Sequence, residues 1–170
     1  TPNSENPDAI FPNKWISFQP DGTVVLYPML AENRRRERRL DIVEELRKDF
    51  VVSRIIDLTD EEKKVKFLEG TGSLVFDHVN KIVYASRSPR THDELVLRLS
   101  ELLSYKAVLF NAFDKDRRPV YHTNVMMCVG ERFAILCLDA VISENDQDIL
   151  LRNFAFTGHR VIAISFAQLE

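Results

Sequence analysis

Apolar positions along the 170-residue chain change period at regular intervals. Two short β-type runs, WISF at 15–18 and TVVLY at 23–27, flank the turn signal QPDG and predict a hairpin. A stretch from about 33 to 48 follows, where Leu40, Val43, Leu46 and Phe50 recur at three- and four-residue spacing, the period of a helix with one buried stripe. VVSRIIDL at 51–58 then predicts a strand. The order repeats. SLVFD (73–77) and KIVYA (81–85) pair across HVN, and a helix opens at Thr91 with Glu94 three residues on, the pattern of a capping box. Leu95, Leu99 and Leu102 or Leu103 give that helix its buried stripe, and AVLFNA (107–112) closes the unit. In the third round VMMCV (125–129) and FAILCL (133–138) pair across GER. Ser143 predicts the N-cap of a helix running to about 156, Gly158 the residue that ends it, and RVIAIS (160–165) the last strand.

The pattern therefore predicts an α/β chain of three hairpin–helix–strand modules, at about 13–58, 67–112 and 120–165, within a single domain. Repeated modules bury their faces against their neighbours. Three of them with two raw ends suggest an unfinished ring, whose uncovered apolar faces and unpaired edges favour self-association. The opening TPNSENPDAI is polar and proline-bearing, and the chain stops at SFAQLE just after a predicted strand, so an internal piece of a longer protein is expected.

Composition narrows the function classes. At 45% apolar and 29% charged the chain is that of an ordinary soluble globular protein. A net charge of −3 implies no nucleic-acid partner, and no apolar run approaches the roughly 20 residues that cross a membrane. Two cysteines, Cys128 and Cys137, make neither a disulfide framework nor a metal knuckle. The expectation is a cytoplasmic protein with reduced thiols, no metal and no cofactor.

A polar residue stands where each hairpin begins: Asn13 in FPNKW, Glu69 in FLEGTGS, His122 in YHTN. Singly these read as a turn residue, a solvated loop carboxylate and a hydrogen-bonded structural histidine. At equivalent places in rotated modules they would face one axis, where a carboxylate and an imidazole bind a cation and move protons. Gly70 and Gly72 let backbone approach a ligand closely. If 119–130 starts as a strand, His122 and Asn124 share a face and Thr123 points away.

The order FPNKW, LEGTG, SPRT and HTN resembles the pentein-fold guanidino-group modifying enzymes: arginine deiminases, dimethylarginine hydrolases and amidinotransferases. It is most similar to the bacterial citrulline-utilisation hydrolase type. That resemblance covers essentially the whole chain and implies a partial α/β-propeller, three modules of a five-module ring. It implies a small guanidino or ureido amino-acid substrate. Glu69 matches the glutamate that grips the guanidinium, although Thr71 replaces the motif's second glycine. His122 matches the acid/base histidine. Asn124 and Asn13 stand where deiminases carry aspartates. Arg34 and Arg90, the latter in SPRT, match arginines that hold the substrate carboxylate, a task suited to a planar guanidinium. The other arginines of NRRRERR (Arg35, Arg36, Arg38 and Arg39) read as a solvated helix face.

The family chemistry so implied is covalent: a thiolate attacks the guanidinium carbon, the amine leaves with a proton from the histidine, and water resolves the thiouronium. Cys128 and Cys137 both read as buried core thiols, so the nucleophile is expected outside this chain and the chain alone is expected to be inactive. Two other readings use the same residues: a non-catalytic pentein module that presents surface, and an amino-acid-binding sensor without the thiolate.

Overall fold

The computed structural model describes residues 10–169, so most of the opening segment TPNSENPDAI lies outside the described residues. The chain divides between Gly70 and Thr71 into two compact units.

In the first unit, β1 (Ile16–Phe18) runs antiparallel to β2 (Thr23–Leu26), and β3 (Arg54–Asp57) lies parallel on the far side of β2. All four residues of β2 are buried, as a strand paired on both sides and covered on both faces requires. Ile16 faces Leu26 across the hairpin, and Val24 faces Ile55 across the parallel pair. Trp15, Ile16, Val24, Leu26, Met29 and Val43 form the core. The QPDG turn closes as predicted. Its Gly22 sits at φ +79°, where an added Cβ would lie 2.6 Å from the Val51 carbonyl oxygen.

The helix expected over 33–48 is broken into α1 (Glu32–Arg35) and α2 (Leu40–Leu46). Of the expected stripe only Val43 is buried, while Leu40 and Phe50 are 56% and 66% exposed. The break falls inside the arginine run. Arg35 and Arg38 turn inward onto backbone carbonyls and Glu62, and Arg39 leaves helical geometry at φ −124°, ψ 85°. A 3-10 helix, Thr59–Lys64, carries Glu62 to that position and ends at Val65 in the left-handed region. It has no counterpart in the sequence reading.

The second unit follows a helical turn, α3 (Gly70–Ser73). It repeats the same sheet twice: β4 (Val75–Asp77), β5 (Ile82–Ser86) and β6 (Lys106–Phe110), then β7 (Met127–Val129), β8 (Phe133–Cys137) and β9 (Arg160–Ile164). In each, the first two strands are antiparallel and the third runs parallel to the second. One core joins them, from Ile82, Tyr84, Val108 and Phe110 to Ala134, Leu136, Leu150 and Phe154. Tyr84 and Phe154 stack with ring centroids 4.8 Å apart. The three three-stranded sheets, in a mixed α/β chain, are the predicted fold class.

Helix α4 spans Asp93–Leu103 and has His92, not Thr91, at its N-cap, because Thr91 is held in a bridge with Ser88. Its Leu95, Leu99 and Leu103 are buried. Helix α5 (Glu144–Phe156) opens as predicted: Ser143 Oγ accepts from the Asp146 N–H at 3.3 Å, and Gly158 follows at φ +73°. A last turn, α6 (Phe166–Leu169), succeeds β9. Among the described residues, no helix is long and apolar enough to cross a membrane.

Two fully buried tyrosines make the fold sensitive to alkali. Burial raises the hydroxyl of Tyr27 despite its bond to Ser17, and burial followed by the charge of Asp77 raises that of Tyr84. The folded state therefore keeps these protons where the unfolded chain, titrating near 10, loses them. Their contribution is complete below about pH 10 and is lost as pH rises toward the folded values. Absorbance titration is expected to show two of the four tyrosines ionising only with unfolding. Tyr27→Phe should leave one such group, and four tyrosines titrating together near pH 10 in folded protein would contradict this.

Candidate functional site

In the first unit the candidate residues are set by backbone groups that leave β2 without a strand to pair with. Glu62 accepts the Met29 N–H at 2.6 Å and pairs with Arg38. Arg38 Nη2 donates to the Tyr27 carbonyl at 3.2 Å, and Arg35 donates to the carbonyls of Met29 at 2.8 Å and Leu30 at 3.1 Å. Arg35 and Arg38 are thus structural, and the solvated reading of them fails. With the turn at 27–30 so fixed, the Leu30 N–H points to Glu69, whose Oε1 accepts it at 3.0 Å. Glu69 is fully buried, which overturns its reading as a solvated loop carboxylate.

Asn13 lies in a 3-10 turn, Pro12–Lys14, which Pro12 opens and the buried Trp15 anchors. Gly70, at φ +46°, packs so closely on this turn that a Cβ would collide with the Asn13 carbonyl oxygen. Arg34 Nη2 donates to the Phe11 carbonyl at 3.2 Å, and its Nε pairs at 2.8 Å with the buried Glu37. Three of the predicted residues, Asn13, Arg34 and Glu69, are therefore tied to adjoining backbone within this unit.

The second unit holds Arg90, His122 and Asn124, and here the strand geometry assumed for 122–124 is wrong. Thr123–Val125 is a 3-10 turn, and the strand starts only at Met127. The turn rotates successive side chains by about a third of a circle, so His122 is buried at 3% exposure while Asn124 is exposed. The two do not share a face. Instead His122 packs against Tyr121, ring centroids 4.7 Å apart, and the Arg90 guanidinium lies 5.7 Å from the centroid of the same Tyr121 ring. Arg90 and His122 thus meet through a residue that sequence reasoning missed. An aromatic beside a histidine carries no signal of its own until the SPRT loop is known to fold onto it.

Of the cysteines, Cys137 is buried as expected, and burial pushes its thiol up; Cys128 is exposed, which corrects its reading as a core residue. Among the described residues no group of three His, Cys, Asp or Glu side chains is placed to hold a metal ion.

With this geometry in hand, the chain matches the family model for N,N-dimethylarginine dimethylhydrolase of the eukaryotic type over residues 1–170. The chain belongs to the dimethylarginine dimethylhydrolase family. No curated protein matches it. Among solved structures it is similar to unliganded AgrE (19% identity, TM-score 0.76, 99% of this chain and 23% of that one). It is similar to the N-terminal domain of ArgZ covalently bound to a reaction intermediate (16% identity, TM-score 0.71, 95% of this chain and 55% of that one); ArgZ is a cyanobacterial arginine dihydrolase. A third is the dimethylarginine dimethylhydrolase of Pseudomonas aeruginosa in complex with citrulline (16% identity, TM-score 0.61, 98% of this chain and 72% of that one). At these identities the likeness is one of fold. The chain spans about half of the ArgZ chain, at 55%, and 23% of AgrE.

Gly70→Ala tests how the family's Glu-Gly segment is seated. A left-handed alanine pressed against the Asn13 carbonyl is expected to lower the unfolding free energy by about 1–3 kcal/mol. Urea denaturation reads it, and an unchanged midpoint would show that Gly70 is not confined there.

Proposed function

We propose that the chain is part of a cysteine-dependent C–N hydrolase of guanidino amino acids, a partial pentein domain with modules at 13–58, 67–112 and 120–165. The observation that carries this reading is the match to the dimethylarginine dimethylhydrolase model over residues 1–170. Hydrolysis is preferred to amidino transfer because the matched family is one of hydrolases. Glu69 grips the guanidinium, with Asn13 and Asn124 as further polar contacts. Arg34 and Arg90 hold the substrate carboxylate. His122 carries the proton: it protonates the departing amine as the thiolate–carbon bond forms and the C–N bond breaks, then takes a proton from the water that adds to the same carbon and expels the thiolate, leaving the ureido product. Burial of Glu69 and His122 suits both tasks, since charge interactions strengthen away from water.

The attacking thiolate comes from neither cysteine of the chain. Burial holds the Cys137 thiol in its neutral form. Cys128 lies on β7, seven residues past Tyr121 and beyond the 3-10 turn that follows His122. Thiol labelling of folded protein should therefore modify Cys128 fast and Cys137 only on unfolding. Reduced thiols agree with a cytoplasmic setting, and exposed Phe50, Val51 and Phe156 agree with self-association.

Calorimetry with arginine, N,N-dimethylarginine and citrulline, alongside an assay for citrulline release, tests the reading. Binding of at least one ligand without turnover is expected, with affinity falling at least about tenfold in Glu69→Gln, the loss of one charge-assisted bond. No binding of any of the three, or turnover that survives His122→Ala, would overturn it.

A further inference from the structure

His122 has no regular element of its own to fix it: it precedes a three-residue 3-10 turn and follows the loop after β6. Its backbone is held through the next residue. Thr123 is fully buried, and its Oγ1 accepts the Ser86 N–H at 2.8 Å while donating to the Ser73 carbonyl at 2.6 Å. From there a closed circuit returns to His122. Ser73 Oγ donates to the Arg90 carbonyl at 2.8 Å. The Arg90 N–H donates to Ser88 Oγ at 3.1 Å, and Ser88 Oγ donates to the Tyr121 carbonyl at 2.9 Å. Tyr121, His122 and Thr123 are consecutive, so hydrogen bonds clamp the histidine's backbone on both sides.

We propose that Thr123 is a positioning residue, which sets the direction of the His122 imidazole and couples it to the Arg90 loop through Ser73. The proposal rests on the reading of His122 as proton carrier. A threonine suits the task because its branched Cβ restricts χ1, so the hydroxyl is held toward both partners, with its donor and one of its two lone pairs engaged. Glycine or alanine there would take the acceptor from the Ser86 N–H and the donor from the Ser73 carbonyl. The circuit also accounts for the serine of the SPRT segment: Ser88 bonds backbone at Arg90 and Tyr121, and so orders the loop that presents Arg90.

Nuclear magnetic resonance on the 170-residue chain tests this without substrate. Thr123→Val keeps the shape and branching and removes the hydroxyl; Thr123→Ser keeps the hydroxyl. In the valine variant, the Ser86 amide should exchange at least about tenfold faster while the Val83 amide does not change. The His122 ring should pass from one χ1 rotamer to an average of several and lose its cross-peaks to Tyr121. Both readings should return in the serine variant. Undisturbed His122 ring signals in a folded valine variant would overturn the proposal, as would failure of serine to restore them. Should the valine variant not fold, Ser88→Ala decides, since it opens the same circuit at Tyr121: rotamer averaging at His122 supports the proposal and its absence overturns it. Loss of ligand binding by the unmodified chain would instead defeat the functional reading and leave these signals in place.

Discussion

At or just beyond the end of the middle strand of each described sheet stands a backbone group outside the ladder that a side chain from outside that strand pairs. Leaving one such group unpaired costs about 1–3 kcal/mol, which is large beside the stability of a small unit. After β2, Glu62, Arg35, Arg38 and Glu69 take the polar groups of 27–30. At the end of β5 Thr123 takes the Ser86 N–H, and after β8 Gln147 Nε2 donates to the Val141 carbonyl at 2.6 Å. Asp146 does the same for Asn111 after β6, at 2.9 Å. The short strands, three to five residues each, leave much of the buried backbone outside the ladders, and long-range side-chain bonds close the gap.

This constraint explains why residues with chemistry sit where they do. A carboxylate that accepts a backbone N–H is oriented by it, and a histidine between two hydrogen-bonded neighbours inherits their rigidity. Glu69 and Leu30 are 39 residues apart, Thr123 and Ser73 50 apart. Each bond therefore pins a residue to backbone distant in sequence, a firmer mount than its own loop supplies.

Regular elements were legible in the sequence because period and turn chemistry are local. WISF, TVVLY, KIVYA, FAILCL and RVIAIS all contain strands, and Ser143 and Gly158 bound a helix as their types require. The helix over 33–48 was misread because its arginines satisfy distant carbonyls and Glu62, a demand that no local pattern displays. The strand at 122–124 was misread for the same reason: apolar VMMCV predicts extension, but Thr123 must curl back to reach Ser86 and Ser73. Motif likeness named Glu69, His122 and Arg90, whereas Tyr121 and Ser73 carry no signal in a lone sequence, since each is identified by what it touches.

The exit of β8 separates structure from chemistry. There the pairing group is Gln147, a neutral amide, which fixes the Leu138 and Val141 carbonyls and is matched by no motif of the family. A neutral amide is sufficient for that structural duty. At the exit of β2 the group to be paired is the Leu30 N–H, met by a fully buried glutamate. The two exits therefore ask for opposite chemistry: the carbonyls after β8 need a donor, which the Gln147 amide is and a carboxylate is not, whereas the Leu30 N–H after β2 needs an acceptor, which Glu69 supplies.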